Sequence, residues 1–82
     1  MEGTKHISPV VLRREIGRRL RLARNEANLN ILDAAKRLEI AGSSLSRFEN
    51  GTGPVTVHLV RSMMDVYDQR LDDVLDLIRQ AR

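Results

Sequence analysis

Residues 29–51 read LNILDAAKRLEIAGSSLSRFENG, and this stretch decides the fold. It predicts two short helices joined by a tight turn and closed by Glu49-Asn50-Gly51. The first runs from Ile31 to Leu38 and is rich in alanine, with Asn30 as its cap and Asp33 three residues on. The second spans about Gly42 to Asn50. Paired Ala34 and Ala35 allow another helix to approach closely. Leu38, Ile40, Leu45 and Phe48 supply an apolar side, while Ser43, Ser44, Ser46 and Arg47 leave a polar, partly basic side that no core would take. A compact helix pair with such a face left over is what a DNA-reading helix-turn-helix needs.

Outward from this segment the chain continues as helix. Ser8-Pro9 makes a helix start, serine capping and proline filling the first turn. Leu12, Ile16, Leu20, Ala23 and Ala27 then recur at helical spacing, and Asn28 is a left-handed stop. Gly17 interrupts this helix at a cost of about 1 kcal/mol, which close approach of a neighbouring helix explains. Gly51, Gly53 and Pro54 break the chain after the second short helix. Thr56 caps a fourth helix from Val57 to about Tyr67, with Leu59, Val60, Met63 and Tyr67 inward. After a break at residues 68–70, Leu71, Val74, Leu75 and Ile78 give the stripe of a fifth. The expected core is Leu12, Ile16, Leu20, Ala35, Leu38, Leu45, Phe48, Leu59, Met63 and Tyr67. Residues 1–7, polar and aperiodic, are expected to form an arm, with one domain over residues 8–82.

Composition narrows the function. Eighty-two residues make one small domain. There is no cysteine, so neither disulfides nor a zinc-thiolate site can staple it. Phe48 and Tyr67 are the only aromatics, which leans the chain away from strands. No apolar run has the length of a membrane span, so a cytoplasmic, nucleoid-associated protein is expected. Residues 1–50 hold ten Lys/Arg against six Asp/Glu, and residues 51–82 hold four against five. Arg13, Arg14, Arg18, Arg19, Arg21 and Arg24 crowd the first helix. They are either a solvated helix face or a footprint for phosphate. The second reading gains because the helix-turn-helix lies in the same half. His6 and His58 have no partners at metal spacing. Asp72, Asp73 and Asp76 read as a solvated acidic face, and Met63-Met64 as core filling. No catalytic constellation, metal site or cofactor is expected.

Leu29, Asn30, Ala35, Leu38, Ile40, Leu45, Ser46, Arg47, Glu49 and Gly51 together resemble the phage-repressor type of helix-turn-helix, the Xre-like family. The resemblance extends over roughly Leu12 to Tyr67. The segments RREIGRRLRLAR and VRSMMDVYD look like an actinobacterial subgroup whose members usually carry a larger C-terminal domain. The fifth helix meets no stop signal before Arg82, as in a chain cut from something longer or one ending in a frayed helix. The resemblance implies an all-α, compact five-helix domain with its second short helix in the major groove. It implies a base-facing set of Gly42, Ser43, Ser46 and Arg47, of which Arg47 can hold guanine in a two-pronged fashion. Phosphate contacts fall to Asn30, Asn50, Gly51, Arg13 and Arg18. Glu49 is implied to pair with Arg24.

The sequence also departs from the family. Glu39 stands where glycine is usual, Ala41 where a hydroxyl cap is usual, so that Gly42 or Ser43 is left to cap, and Ile31 where glutamine or threonine often meets phosphate. The loop Thr52 to Val55 lacks basic residues. The leading expectation is a sequence-specific double-stranded DNA-binding transcription regulator, acting as a homodimer on a two-fold site. The alternative is a protein-interaction module on the same scaffold, with a protein partner at the C-terminal helix or the basic face. Steep salt dependence of duplex binding separates the two.

Overall fold

The computed structural model describes residues 8–80; the expected N-terminal arm, residues 1–7, lies outside them. Among the described residues there are five helices and no strand. α1 (Pro9–Glu26) starts where Ser8 accepts a hydrogen bond from the Val11 amide, and proline occupies the first turn. α2 (Ile31–Leu38) starts at Asn30, whose side chain accepts from the Asp33 amide. α4 (Val57–Tyr67) starts at Thr56, which accepts from Leu59. α3 (Gly42–Glu49) differs: Ala41 is its cap residue, and no side chain caps it. The expectation that Gly42 or Ser43 caps instead is not met, because both already lie inside the helix. α5 (Asp72–Gln80) has Asp72 and Asp73 in its first turn and Arg79 in its last, the order the helix dipole favours.

Four helices end in the same way. After each, one residue adopts a left-handed backbone: Asn28 after α1, Glu39 after α2, Gly51 after α3 and Asp68 after α4. The next amide then bonds back over the last turn, Leu29 to Arg24, Ile40 to Ala35, Thr52 to Arg47 and Gln69 to Met64. Only α3 uses glycine here. A β-carbon on Gly51 would stand 3.0 Å from the Cα and N of Arg14 in α1, so the position is closed to larger residues.

The five helices wrap one core. Leu20 of α1, Leu45 of α3, Val60 and Met63 of α4 and Val74 of α5 are fully buried at its centre. Each such side chain contributes about 1.5–3 kcal/mol of transfer free energy. Around them lie Leu12, Ile16, Ala34, Ala35, Leu38, Tyr67, Leu71, Leu75 and Ile78. Two residues expected in this core sit at its edge. Leu59 is half-buried, because Val60, Met63 and Tyr67 form the inward stripe of α4. Phe48 is half-buried because its ring packs over Gly53, where a β-carbon would stand 3.1 Å from Cδ1. The loop after α3, not the helical core, receives it. An Arg19–Asp73 ion pair joins α1 to α5, and the Gln69 side-chain amide donates to the Ala23 carbonyl at 2.7 Å.

Candidate nucleic-acid interface

α3 is placed by three contacts that start from sequence features of α1. Gly17 is the first. A β-carbon there would stand 2.4 Å from the carbonyl oxygen of Glu49 and 2.8 Å from that of Phe48. Glycine therefore lets the backbones of α1 and α3 meet directly. Glu49 is the second. Its side chain is buried, and Arg24 holds both carboxylate oxygens, Nε to Oε2 at 2.7 Å and Nη2 to Oε1 at 3.0 Å. The remaining Nη1 of Arg24 donates to the Leu29 carbonyl at 2.8 Å. One guanidinium thus links α1, the α1–α2 connection and α3 through a planar fork. The Glu49 hydrogen bond raises the Arg24 pKa above its ordinary value, so this cation is fixed at any working pH.

Arg21 is the third contact, and sequence reasoning missed it as a site residue. Its Nη2 donates to the Asn50 side-chain oxygen at 2.8 Å, and its Nε lies 3.5 Å from Glu49 Oε1. The signal was available. Gly17, Arg21 and Arg24 share one face of α1 at helical spacing, so the face that meets α3 at Gly17 also carries both arginines.

The far side of α3 is open. Ser43 and Arg47 are exposed, and Gly42 and Ser46 are half-exposed. Among the described residues, the Arg47 side chain has no ion-pair partner, while its carbonyl accepts from the Thr52 amide and hydroxyl. The four residues expected to face bases therefore lie along one helix, at or near the surface. The uncapped first turn of α3 starts at the same edge.

The expected phosphate residues are less uniform. Gly51 lies against the Arg13–Arg14 backbone, which brings exposed Arg13 beside the end of α3. The side chain of Asn50 is engaged by Arg21, and that of Asn30 by its own helix start. Arg18 lies on the outer face of α1, where it holds Glu15 with two hydrogen bonds of 3.0 and 2.8 Å. That bond also holds the Glu15 carboxyl below its ordinary pKa. The pair is exposed, and solvent screens it so that it contributes little to stability. Arg18 can therefore exchange partners, though it does not share a face of α1 with Arg13.

Among the described residues, no group of three His, Asp or Glu side chains is placed to hold a metal ion. No helix of the described residues is long and apolar enough to cross a membrane.

Comparison with known proteins agrees with the fold. A family model described as a helix-turn-helix domain matches residues 15–77, which takes in most of α1, all of α2, α3 and α4, and most of α5. A solved structure described as that of the clp gene regulator ClgR from C. glutamicum superposes with a TM-score of 0.72 at 21% identity. The alignment covers 98% of this chain and 97% of that one, so the two share the five-helix fold of the described residues. Among curated proteins, none matches this sequence.

Proposed function

The chain belongs to the helix-turn-helix domain family, and from this premise we propose that it is a transcription regulator that binds double-stranded DNA sequence-specifically. The observation that carries the reading is the mounting of α3. Its inner side is fixed by Gly17 and the Arg24–Glu49 pair, and its outer side offers Ser43, Ser46 and Arg47 to solvent. A rigid helix with a free polar edge suits insertion into the major groove, where base edges carry a distinct donor and acceptor pattern. The description of the ClgR structure as a gene regulator supports the same reading.

In this reading Arg47 grips the O6 and N7 of a guanine, and Ser43 and Ser46 add weaker hydrogen bonds. Gly42 offers its backbone to the base edges. Arg13, the amides around Asn30 and the Asn50-Gly51 turn hold phosphate, with Arg18 joining when it leaves Glu15. A homodimer on a two-fold site supplies the second half of the contact surface. The setting is the cytoplasm, at the nucleoid.

Duplex binding across a salt series tests the proposal. Affinity should fall steeply with salt, and Arg13→Ala should lower the slope by about one on every duplex. Arg47→Ala should weaken the preferred duplex by about 1–3 kcal/mol and relax choice at one base pair. Absence of salt-dependent binding would instead favour a protein-interaction module on this scaffold, with its partner at α5 or the basic face.

A further inference from the structure

Among the described residues, Leu32 is the large apolar side chain that the fold leaves most open. It is 75% exposed, while the other exposed large hydrophobics, Val10, Val11 and Leu22, lie between 45% and 54%. It occupies the second position of α2, directly beside the first residue of α3. Its Cδ2 lies 3.4 Å from where a Gly42 β-carbon would stand, and Ile31 Cγ2 lies at 3.7 Å from the same point. Ile31 and Leu32 thus form an apolar shelf around Gly42. Glycine puts nothing over it, whereas a longer side chain at position 42 would cover it.

From this juxtaposition we infer that Leu32, backed by Ile31, packs on the 5-methyl group of a thymine and is a specificity residue of the DNA-binding site. The inference rests on the DNA-binding reading above. The chemistry singles out the thymine methyl. Apart from the small C5–H of cytosine, which offers no methyl to pack on, the other groups a base edge presents in the major groove are hydrogen-bond donors and acceptors, which an aliphatic side chain would strip of water and leave unpaired. The thymine methyl gains by the same contact. The shelf lies against Gly42, the first residue of the helix that carries Ser43, Ser46 and Arg47, and so at the N-terminal end of α3, the end that such helices turn to the bases. The two serines discriminate poorly between bases, since a hydroxyl both donates and accepts. An apolar contact at Gly42 therefore adds a preference they cannot supply, at a base pair other than the one Arg47 reads.

The test uses the full 82-residue chain and its preferred duplex, selected from a random pool. Each thymine is replaced singly by deoxyuridine, which removes the methyl and keeps every hydrogen-bonding group. The wild type should lose affinity about fourfold at one such position, the value of one buried methyl. Leu32→Ala should bind the thymine duplex as weakly as the wild type binds the uridine one, and should no longer respond to the exchange. Leu32→Met should keep the response, and so should Arg47→Ala. Thermal melting should differ little between Leu32→Ala and the wild type, since the side chain lies outside the core. A uridine penalty in Leu32→Ala equal to that of the wild type would overturn the inference. So would selective, salt-dependent binding with no uridine penalty anywhere, and both results leave the DNA-binding reading standing. Failure to select any duplex, with no salt dependence, would remove that reading and this inference together.

Discussion

Gly17→Ala is the most direct probe of how α3 is mounted. In a free helix this change stabilises by about 1 kcal/mol, because alanine is the better helix former. Here the new β-carbon would meet the Glu49 carbonyl oxygen at 2.4 Å and the Glu49 carbonyl carbon at 2.8 Å. Unstrained contacts between such atoms lie near 3.5 Å, so α1 and α3 must part by about 1 Å. The obstacles are backbone atoms, and no rotamer change can clear them. Overpacking of this kind costs up to about 3 kcal/mol. A shift of the same size also strains the Arg24–Glu49 hydrogen bonds, now 2.7 and 3.0 Å, because the flexible arginine side chain follows only part of it. Weakening that pair adds about 1 kcal/mol, a small part of the several kcal/mol lost when a buried pair is fully broken. The net loss is about 3 kcal/mol, a large share of the roughly 4–12 kcal/mol expected for a domain of this length. At 4–8 °C for each kcal/mol, the melting temperature should fall by about 12–24 °C. Circular dichroism melts and urea titrations measure this. Gly42→Ala is the control, since its β-carbon meets only side-chain atoms at 3.4 and 3.7 Å and should leave stability nearly unchanged. A Gly17→Ala protein as stable as the wild type would refute the direct backbone contact between α1 and α3.

Three further outcomes are expected. Arg24→Met and Glu49→Gln should each cost about 3–5 kcal/mol by stranding the other charge, while the double variant should cost less than the sum; additive losses in a denaturant-measured cycle would count against a coupled pair. Tyr67 is buried, and its hydroxyl has no hydrogen-bond partner among the described residues. Burial pushes its pKa up to about 12. The unfolded chain therefore loses this proton first, near pH 10, and stability should fall as pH rises from there toward 12. As the only tyrosine in a chain without tryptophan, it can be followed by phenolate absorbance, and half-titration near pH 10 in the folded protein would contradict its burial. Glu39→Gly should stabilise by up to about 1 kcal/mol, because Glu39 holds a left-handed backbone at φ 60°; a lower denaturation midpoint would show that its side chain has a compensating role.

The helix starts were legible because capping is local chemistry. Ser8, Asn30 and Thr56 each accept from an amide three residues on, a bond that depends on nothing outside the segment. The left-handed stop at Asn28 was legible for the same reason, whereas Glu39 stood out only through the family resemblance, at a place where glycine is usual. Gly17 could be read as a point of close approach, because a helix tolerates an interior glycine when something fills the space. Periodicity placed residues on faces but did not say what covers each face. Phe48 carries the right spacing for the core and still turns to Gly53, because a glycine in the following loop opens a seat for its ring. Arg18 and Arg21 look alike in a run of arginines. Only the angular position relative to Gly17 sends Arg21 to Glu49 and Asn50 and leaves Arg18 with Glu15.

Leu32 shows the deeper reason the site was only partly readable. In sequence it is one apolar residue within an apolar helix start, and nothing local separates it from Ile31. Its meaning comes from Gly42, ten positions away, which the turn at Glu39 carries beside it. The same turn explains how the site divides its labour. α3 is locked at its C-terminal end, where Gly17, Arg24 and Arg21 converge on Glu49 and Asn50. At its N-terminal end it has neither a side-chain cap nor a side chain on its first residue. What stands there comes from α2. A change at Leu32 should therefore alter which bases are preferred without loosening the helix, whereas a change at Gly17 or Glu49 should loosen the helix and weaken every duplex alike.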